Sequence, residues 1–161
     1  MKRWSILLLM SCAVLAGGCR SSRPAVVADS GGAHPSDAVV FGGHWYKVFD
    51  ETMSWHEAKK RCEAMGGGLV CIETPAEQTF IAKLAAGRYL SLGATDEVKE
   101  GEWVWINGAP FTYTCWMESQ PNNYGGSENF LATYDGGDWV DVDDEGSGFW
   151  MPTGFICEWE K

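Results

Sequence analysis

Between residues 44 and 160 the spacing of apolar positions changes period several times, and each change predicts a different element. HWYKVF (His44–Phe49) reads as a strand. Ser54 and Glu57 then stand three apart as a capping box, each satisfying an amide at the start of a helix. Trp55, Ala58, Cys62 and Met65 follow at three- and four-residue spacing, with Glu57, Lys59, Lys60 and Arg61 left to water, until Gly66, Gly67 and Gly68 stop the helix. LVCI (Leu69–Ile72) predicts a short buried strand. Thr74-Pro75-Ala76-Glu77 predicts a second capped helix, with proline where its missing amide costs nothing, Phe80, Ile81 and Leu84 facing inward, and Gly87 at the end. Asn107-Gly108 between apolar runs predicts a tight hairpin, after which Phe111 and Tyr113 resume the alternation. Trp103, Trp105 and Trp116 read as core rather than as ligand-stacking rings.

The first 42 residues follow no such pattern. Lys2 and Arg3 precede an apolar run from Ile6 to Ala16, broken by Ser11, and Gly17, Gly18 and Cys19 follow. Residues 1–18 therefore read as a secretory signal, too short to span a bilayer. The ending LAGGC resembles a bacterial lipobox, which implies lipid on Cys19; a plain signal with an incidental cysteine is the other reading. More than one acyl chain would hold the protein stably to a membrane surface, through the anchor alone. Residues 20–42, rich in Ser, Ala, Gly and Pro, read as a flexible leash of about 25 Å reach behind Cys19, leaving 43–161 as one domain.

Charge narrows the choice of partner. Without residues 1–18 the chain has 10 basic and 22 acidic residues, so nucleic acid is excluded as a partner. Between Asp96 and Glu145 there are 12 acids and a single base, Lys99. Self-repulsion on that scale is relieved most simply by bound cations. His34, His44 and His56 have no zinc-like spacing. Cys62, Cys71, Cys115 and Cys157 remain after the signal and Cys19, and an even count in an exported chain suggests disulfides.

The stretch QPNNYGGSENFLATYDGGDWVD (Gln120–Asp141) combines a polar loop, a short apolar strand and an acidic turn. Gln120, Asn122, Glu128 and Asp141 offer side-chain oxygens with no Lys, Arg or His between them, the donor set calcium takes. A merely solvated acidic loop is the alternative. The Gln-Pro-Asn triplet, the Glu six residues on and the Trp-x-Asp triplet resemble the calcium and sugar site of C-type lectins. GATDEVKEGEWVWING (Gly93–Gly108) and GFICEWE (Gly154–Glu160) resemble the segments that flank that site, the first as in mannose-binding collectins.

The resemblance implies an α+β fold, with two helices packed on small antiparallel sheets and a long calcium-binding-type loop region. It implies a principal calcium on Gln120, Asn122, Glu128 and Asp141, completed by a sugar's hydroxyls. Val140 stands where the family has an asparagine ligand, which removes one protein oxygen and one amide toward the sugar. Glu-Pro-Asn resembles mannose-type sites and Gln-Pro-Asp galactose-type ones; Gln-Pro-Asn offers an amide on both sides and specifies neither. An auxiliary calcium would draw on Asp96, Glu100, Asn123, Glu128 and Asn129, the asparagines at 123 and 129 standing in place of acids. Cys62 and Cys157 match the family's terminus-joining disulfide, and its second disulfide has no counterpart. Cys71 and Cys115 either pair or lie buried as small hydrophobes.

Two functions follow. One is calcium-dependent carbohydrate binding on a bacterial cell envelope, with a glycan or glycoconjugate as partner. The other is a non-sugar-binding domain that holds a protein partner or has a structural role. No G-x-S-x-G, zinc motif or P-loop points to an enzyme.

Overall fold

The computed structural model describes residues 34–145 and 151–160. The expected signal segment 1–18, Cys19 and residues 20–33 of the expected leash lie outside the described residues. The remainder of the leash is not free coil. Val39–Phe41 forms β1 and pairs antiparallel with β2 (His44–Phe49), and Lys47 forms an ion pair with Asp37. The domain boundary therefore lies before residue 39 rather than at 43, because a Val-Val-Phe run at a sheet edge gains a ladder that a coil would forgo.

Helix α1 (Trp55–Ala64) starts on the predicted capping box, with Ser54 and Glu57 each accepting from the other's neighbouring amide. Its apolar face buries Trp55, Ala58 and Cys62. Residue 144 adds to the cap from far along the chain: its carbonyl accepts from the Trp55 N–H at 3.0 Å and its carboxylate from the His56 N–H at 3.0 Å. Helix α2 (Pro75–Ala85) has the predicted Thr74 cap and first-turn proline. Its box is half formed, because the Glu77 carboxylate accepts from Glu73 N–H and from the Tyr46 hydroxyl instead of closing on Thr74. Ala86, at φ 52°, ends the helix one residue before Gly87.

The strands β3 (Gly68–Leu69), β4 (Leu90–Thr95), β5 (Val104–Trp105), β6 (Phe130–Thr133), β7 (Trp139–Val142) and β8 (Gly154–Trp159) complete a mixed sheet. Its order is β1-β2-β8-β4-β6-β7, with β3 on β8 and β5 on β4. β4 and β8 run parallel; the other ladders are antiparallel. LVCI pairs as a strand only at Leu69. Val70 instead bridges two neighbours, donating to Ile156 O and accepting from Gly93 N–H. The turn at Asn107-Gly108 is present, Gly108 donating to Trp105 O at φ 81°, but no strand follows it. Phe111 and Tyr113 pack against Trp139 rather than joining a ladder.

Two apolar clusters fill the interior. One gathers Ile72, Ile81, Leu90, Leu92, Trp105, Leu131, Trp139 and Ile156; the other Trp55, Leu69, Phe130, Ala132, Val140, Val142, Phe155 and Trp159. Trp105 is buried, while Trp103 and Trp116 pack against the first cluster half-exposed. Gly154 lets β8 pass β2, since a Cβ there would lie 2.1 Å from Phe49 O. Between β2, α2 and β8 a polar network interrupts the apolar packing: Tyr46 donates to Glu77 at 2.8 Å, while Glu158 accepts from His44 and from Cys71 N–H.

Cys62 and Cys157 are buried side by side, as the resemblance implies, but stand as thiols without the expected bond. The hydrogen bond that the Cys62 thiol donates to Cys157, and then burial, hold that thiol far above its usual range. Peptide mapping of non-reduced protein after exposure to an oxidising buffer is expected to recover the two as a linked pair; recovery of both as free thiols would remove the expectation. Cys71 is buried among Leu69 and Gly93, whereas Cys115 lies by Asp138, so those two do not pair.

Candidate functional site

The loop from Gln120 to Asn129 leads into β6 and is held by two carboxylates that accept its backbone amides, one on β7 and one in the loop itself. Asp141, 3 % exposed, accepts from Asn122 N–H at 2.9 Å and Asn123 N–H at 2.6 Å. Glu128, 6 % exposed, accepts from Tyr124 N–H at 2.7 Å. Asn123, in the left-handed region at φ 44°, returns its side-chain oxygen to Glu128 N–H at 3.1 Å and donates its amide to Glu100. Asp96, 2 % exposed, accepts from Gly101 N–H at 2.8 Å and donates its own N–H to Asn129 O. The expected residues thus form one connected region: Asn122, Asn123, Glu100, Glu128 and Asp141 through hydrogen bonds, Asp96 and Asn129 at its edge. Gln120 is half-buried and the Asn122 side chain is exposed at the tip.

The arrangement is short of a closed cation cage. Among the described residues no three His, Cys, Asp or Glu side chains converge to hold a metal ion. The reason is visible in the partners: Asp141 and Glu128 are turned onto the loop's own amides, and Glu100 onto Asn123. Yet the buried carboxylate and amide oxygens that accept no hydrogen bond among the described residues are Asp96 Oδ1, Gln120 Oε1 and Asp143 Oδ1. All three belong to this region. A buried acceptor left without a donor is costly and rare, and a cation is the partner that would satisfy several at once. By donor type, then, the residues fit calcium.

Burial, opposed by the Gly101 amide and reinforced by the Asp141 charge, holds the Asp96 carboxyl above its ordinary range. Burial also raises Glu128, against the Tyr124 amide and with Asp141 and Asp143 adding to it. A carboxyl raised in the fold takes up a proton more readily than in the unfolded chain. Its stabilising contribution is therefore full below the ordinary values of 3.8 and 4.5 and is lost as pH rises through the folded values. With chelator present, the melting temperature is expected to be higher at about pH 5 than at about pH 8, and Glu128→Gln to flatten that slope. An equal slope in parent and variant would count against the assignment.

Val140 does not face this region. It is 1 % exposed in the apolar cluster with Phe130, Ala132 and Val142, and it pairs across the ladder with Ala132. The sequence reading also passes over Tyr124, a 79 % exposed ring at the loop tip whose own amide anchors Glu128. Its one signal is an aromatic residue between Asn-Asn and Gly-Gly. The clefts of about 210 and 200 Å³ on either side of Glu158 are lined by none of these residues.

The lectin C-type domain model matches residues 51–158. The hepatic lectin of Gallus gallus is 36 % identical over 113 residues, covering 69 % of this chain and 55 % of that protein. The chain thus spans about half the length of that curated relative. The cow CD23 carbohydrate-recognition domain, solved in the presence of a GlcNAc2Man3 oligosaccharide, is 30 % identical with a TM-score of 0.73, covering 80 % of this chain and 96 % of that one. The mouse scavenger receptor C-type lectin domain is 31 % identical with a TM-score of 0.72, covering 80 % and 97 %. Two helices on a mixed sheet, the carboxylate-held loop and these likenesses together place the chain in the C-type lectin domain family.

Proposed function

We propose that the chain is a calcium-dependent carbohydrate-binding module, tethered to a bacterial cell envelope through Cys19. The observation that carries the calcium reading is the trio of buried oxygens without donors, Asp96 Oδ1, Gln120 Oε1 and Asp143 Oδ1, beside the carboxylates of Glu128 and Asp141. Calcium would be held by Gln120, Asn122, Glu128 and Asp141, and when bound it supplies coordination positions for a sugar's vicinal hydroxyls. The chain's own residues present the Asn122 side chain and the Tyr124 ring to the ligand, both exposed at the loop tip. An apolar sugar face stacks on such a ring, while the amides order the hydroxyls. The family's relatives are lectins, and nothing in the site suggests catalysis.

A glycan array probed with the protein, with calcium and with chelator, tests this reading. Binding that requires calcium supports it; binding unchanged by chelator, or none, defeats it. The anchor is tested separately, by fractionating cells that express the parent or Cys19→Ala: the parent in the soluble fraction would dispose of the tether.

Val140 favours a second reading, a domain of this fold that holds a protein or builds structure without calcium. Asparagine at 140 would bury an amide in the apolar cluster, costing about 1–3 kcal/mol where it finds no partner. Val140→Asn is therefore expected to melt below the parent in chelator and, because position 140 faces the apolar cluster rather than the loop, to gain no more than the parent from added calcium. If calcium and magnesium act alike on both proteins, the loop is an acidic surface and the second reading stands.

A further inference from the structure

We infer that Asp143 is a carboxylate ligand of the cation site, supplying from two residues beyond Asp141 the oxygen that Val140 does not provide. The inference rests on the calcium reading above. β7 alternates its side chains, so Trp139 joins the first apolar cluster while Val140 and Val142 join the second. Asp143 is the first residue beyond β7, two after Asp141, where a continuation of the strand would carry it to the side of Asp141. Asp143 is half-buried, and its Oδ1 is enclosed with no donor among the described residues.

Its neighbours point the same way. The Asp143 and Asp141 charges both bear on the Glu128 carboxyl, so the three acids share one region. Asp96, nine-tenths buried and more, contributes the independent sign of a missing partner: its Oδ1 has no donor, and it too feels Asp141. The other acids nearby are committed elsewhere. Asp144 holds the start of α1 and the His56 ring, Asp138 lies against Cys115, and Asp135 lies beside Gly87 at the end of α2. Among these Asp143 alone combines an enclosed oxygen with a position beside Glu128.

A ligand carboxylate repels its neighbours until the cation arrives, so its removal has opposite effects in the two conditions. Asp143→Asn is expected to raise the melting temperature in chelator and to weaken calcium binding about tenfold, since affinity in such sites follows ligand charge count. The probe is calcium alone, followed by calorimetric titration and by thermal melts, with magnesium as control and Asp135→Asn as the variant that should change neither quantity. A variant that merely folds poorly would melt lower in chelator, which is the reverse of the expected sign and overturns the inference. If the parent responds to calcium and Asp143→Asn responds equally, the inference falls and the calcium reading survives. If the parent itself does not respond to calcium, both fall.

Discussion

Replacing Trp139 with alanine is expected to lower folding stability by about 3–5 kcal/mol, the range for deleting a large buried aromatic. No part of the Trp139 side chain reaches solvent. Its ring meets the edges of Trp105, Tyr113 and Trp116 at 5.6, 5.7 and 5.9 Å between centroids. The indole N–H donates to Gln78 Oε1 at 2.9 Å, which ties β7 to α2 across the first cluster. Alanine would open a cavity among the rings of Trp105, Phe111, Tyr113 and Trp116 and leave the Gln78 oxygen buried without its donor. Phenylalanine refills most of the space but not the hydrogen bond, so Trp139→Phe should lose less, about 1–3 kcal/mol. Urea denaturation of both variants decides the matter; an alanine loss no larger than the phenylalanine loss would show that the rings close over the gap.

Asp141→Asn should have the larger effect on binding. Asp141 accepts two loop amides as a carboxylate and is the acid shared by the Asp96 and Glu128 surroundings. Both loop amides reach the same oxygen, Oδ2, so asparagine keeps them only with its NH2 in the place of Oδ1, and it loses the negative charge that strengthens both bonds and would hold a cation. Calcium affinity is expected to fall by more than about a hundredfold, beyond the 10- to 100-fold typical of changes to outer-shell partners. The loop should also become a preferred site of proteolysis in chelator. Calorimetry measures the first and limited digestion the second. Calcium affinity unchanged from the parent would exclude Asp141 as a ligand.

Local patterns carried most of the fold from sequence. β2 matches the HWYKVF run, and α1 begins on Ser54 with its box intact, because strand alternation and capping depend on residues within a few positions of one another. What was misread depends on distant partners. Phe111 and Tyr113 imitate strand alternation, yet their rings are drawn to Trp139. Val70 to Ile72 are as apolar as a strand but pass between β8 and β4, where only single bridges are available. Val39 to Phe41 look too short to matter in a leash, and only β2 beside them gives them a ladder.

At the site, sequence identified the oxygen-bearing residues because chemistry is written in residue type. Their orientation was not legible, since it is set by the competition of backbone amides at 122, 123 and 124 for the same carboxylates. Val140 shows the limit most clearly. As a letter it reads as a lost ligand, whereas in the fold it is a core residue packed opposite Ala132.

The cap on α1 turns the helix into a remote clock for the loop region. The Trp55 and His56 amide protons are held by residue 144, three positions past Asp141. They can exchange with deuterium only when the segment after β7 lifts away from the helix, so their exchange times the opening of that segment from a place no ligand touches. Slowing of these two amides, relative to the remainder of α1, would record a stiffened loop region even where the bound molecule itself is invisible to the measurement.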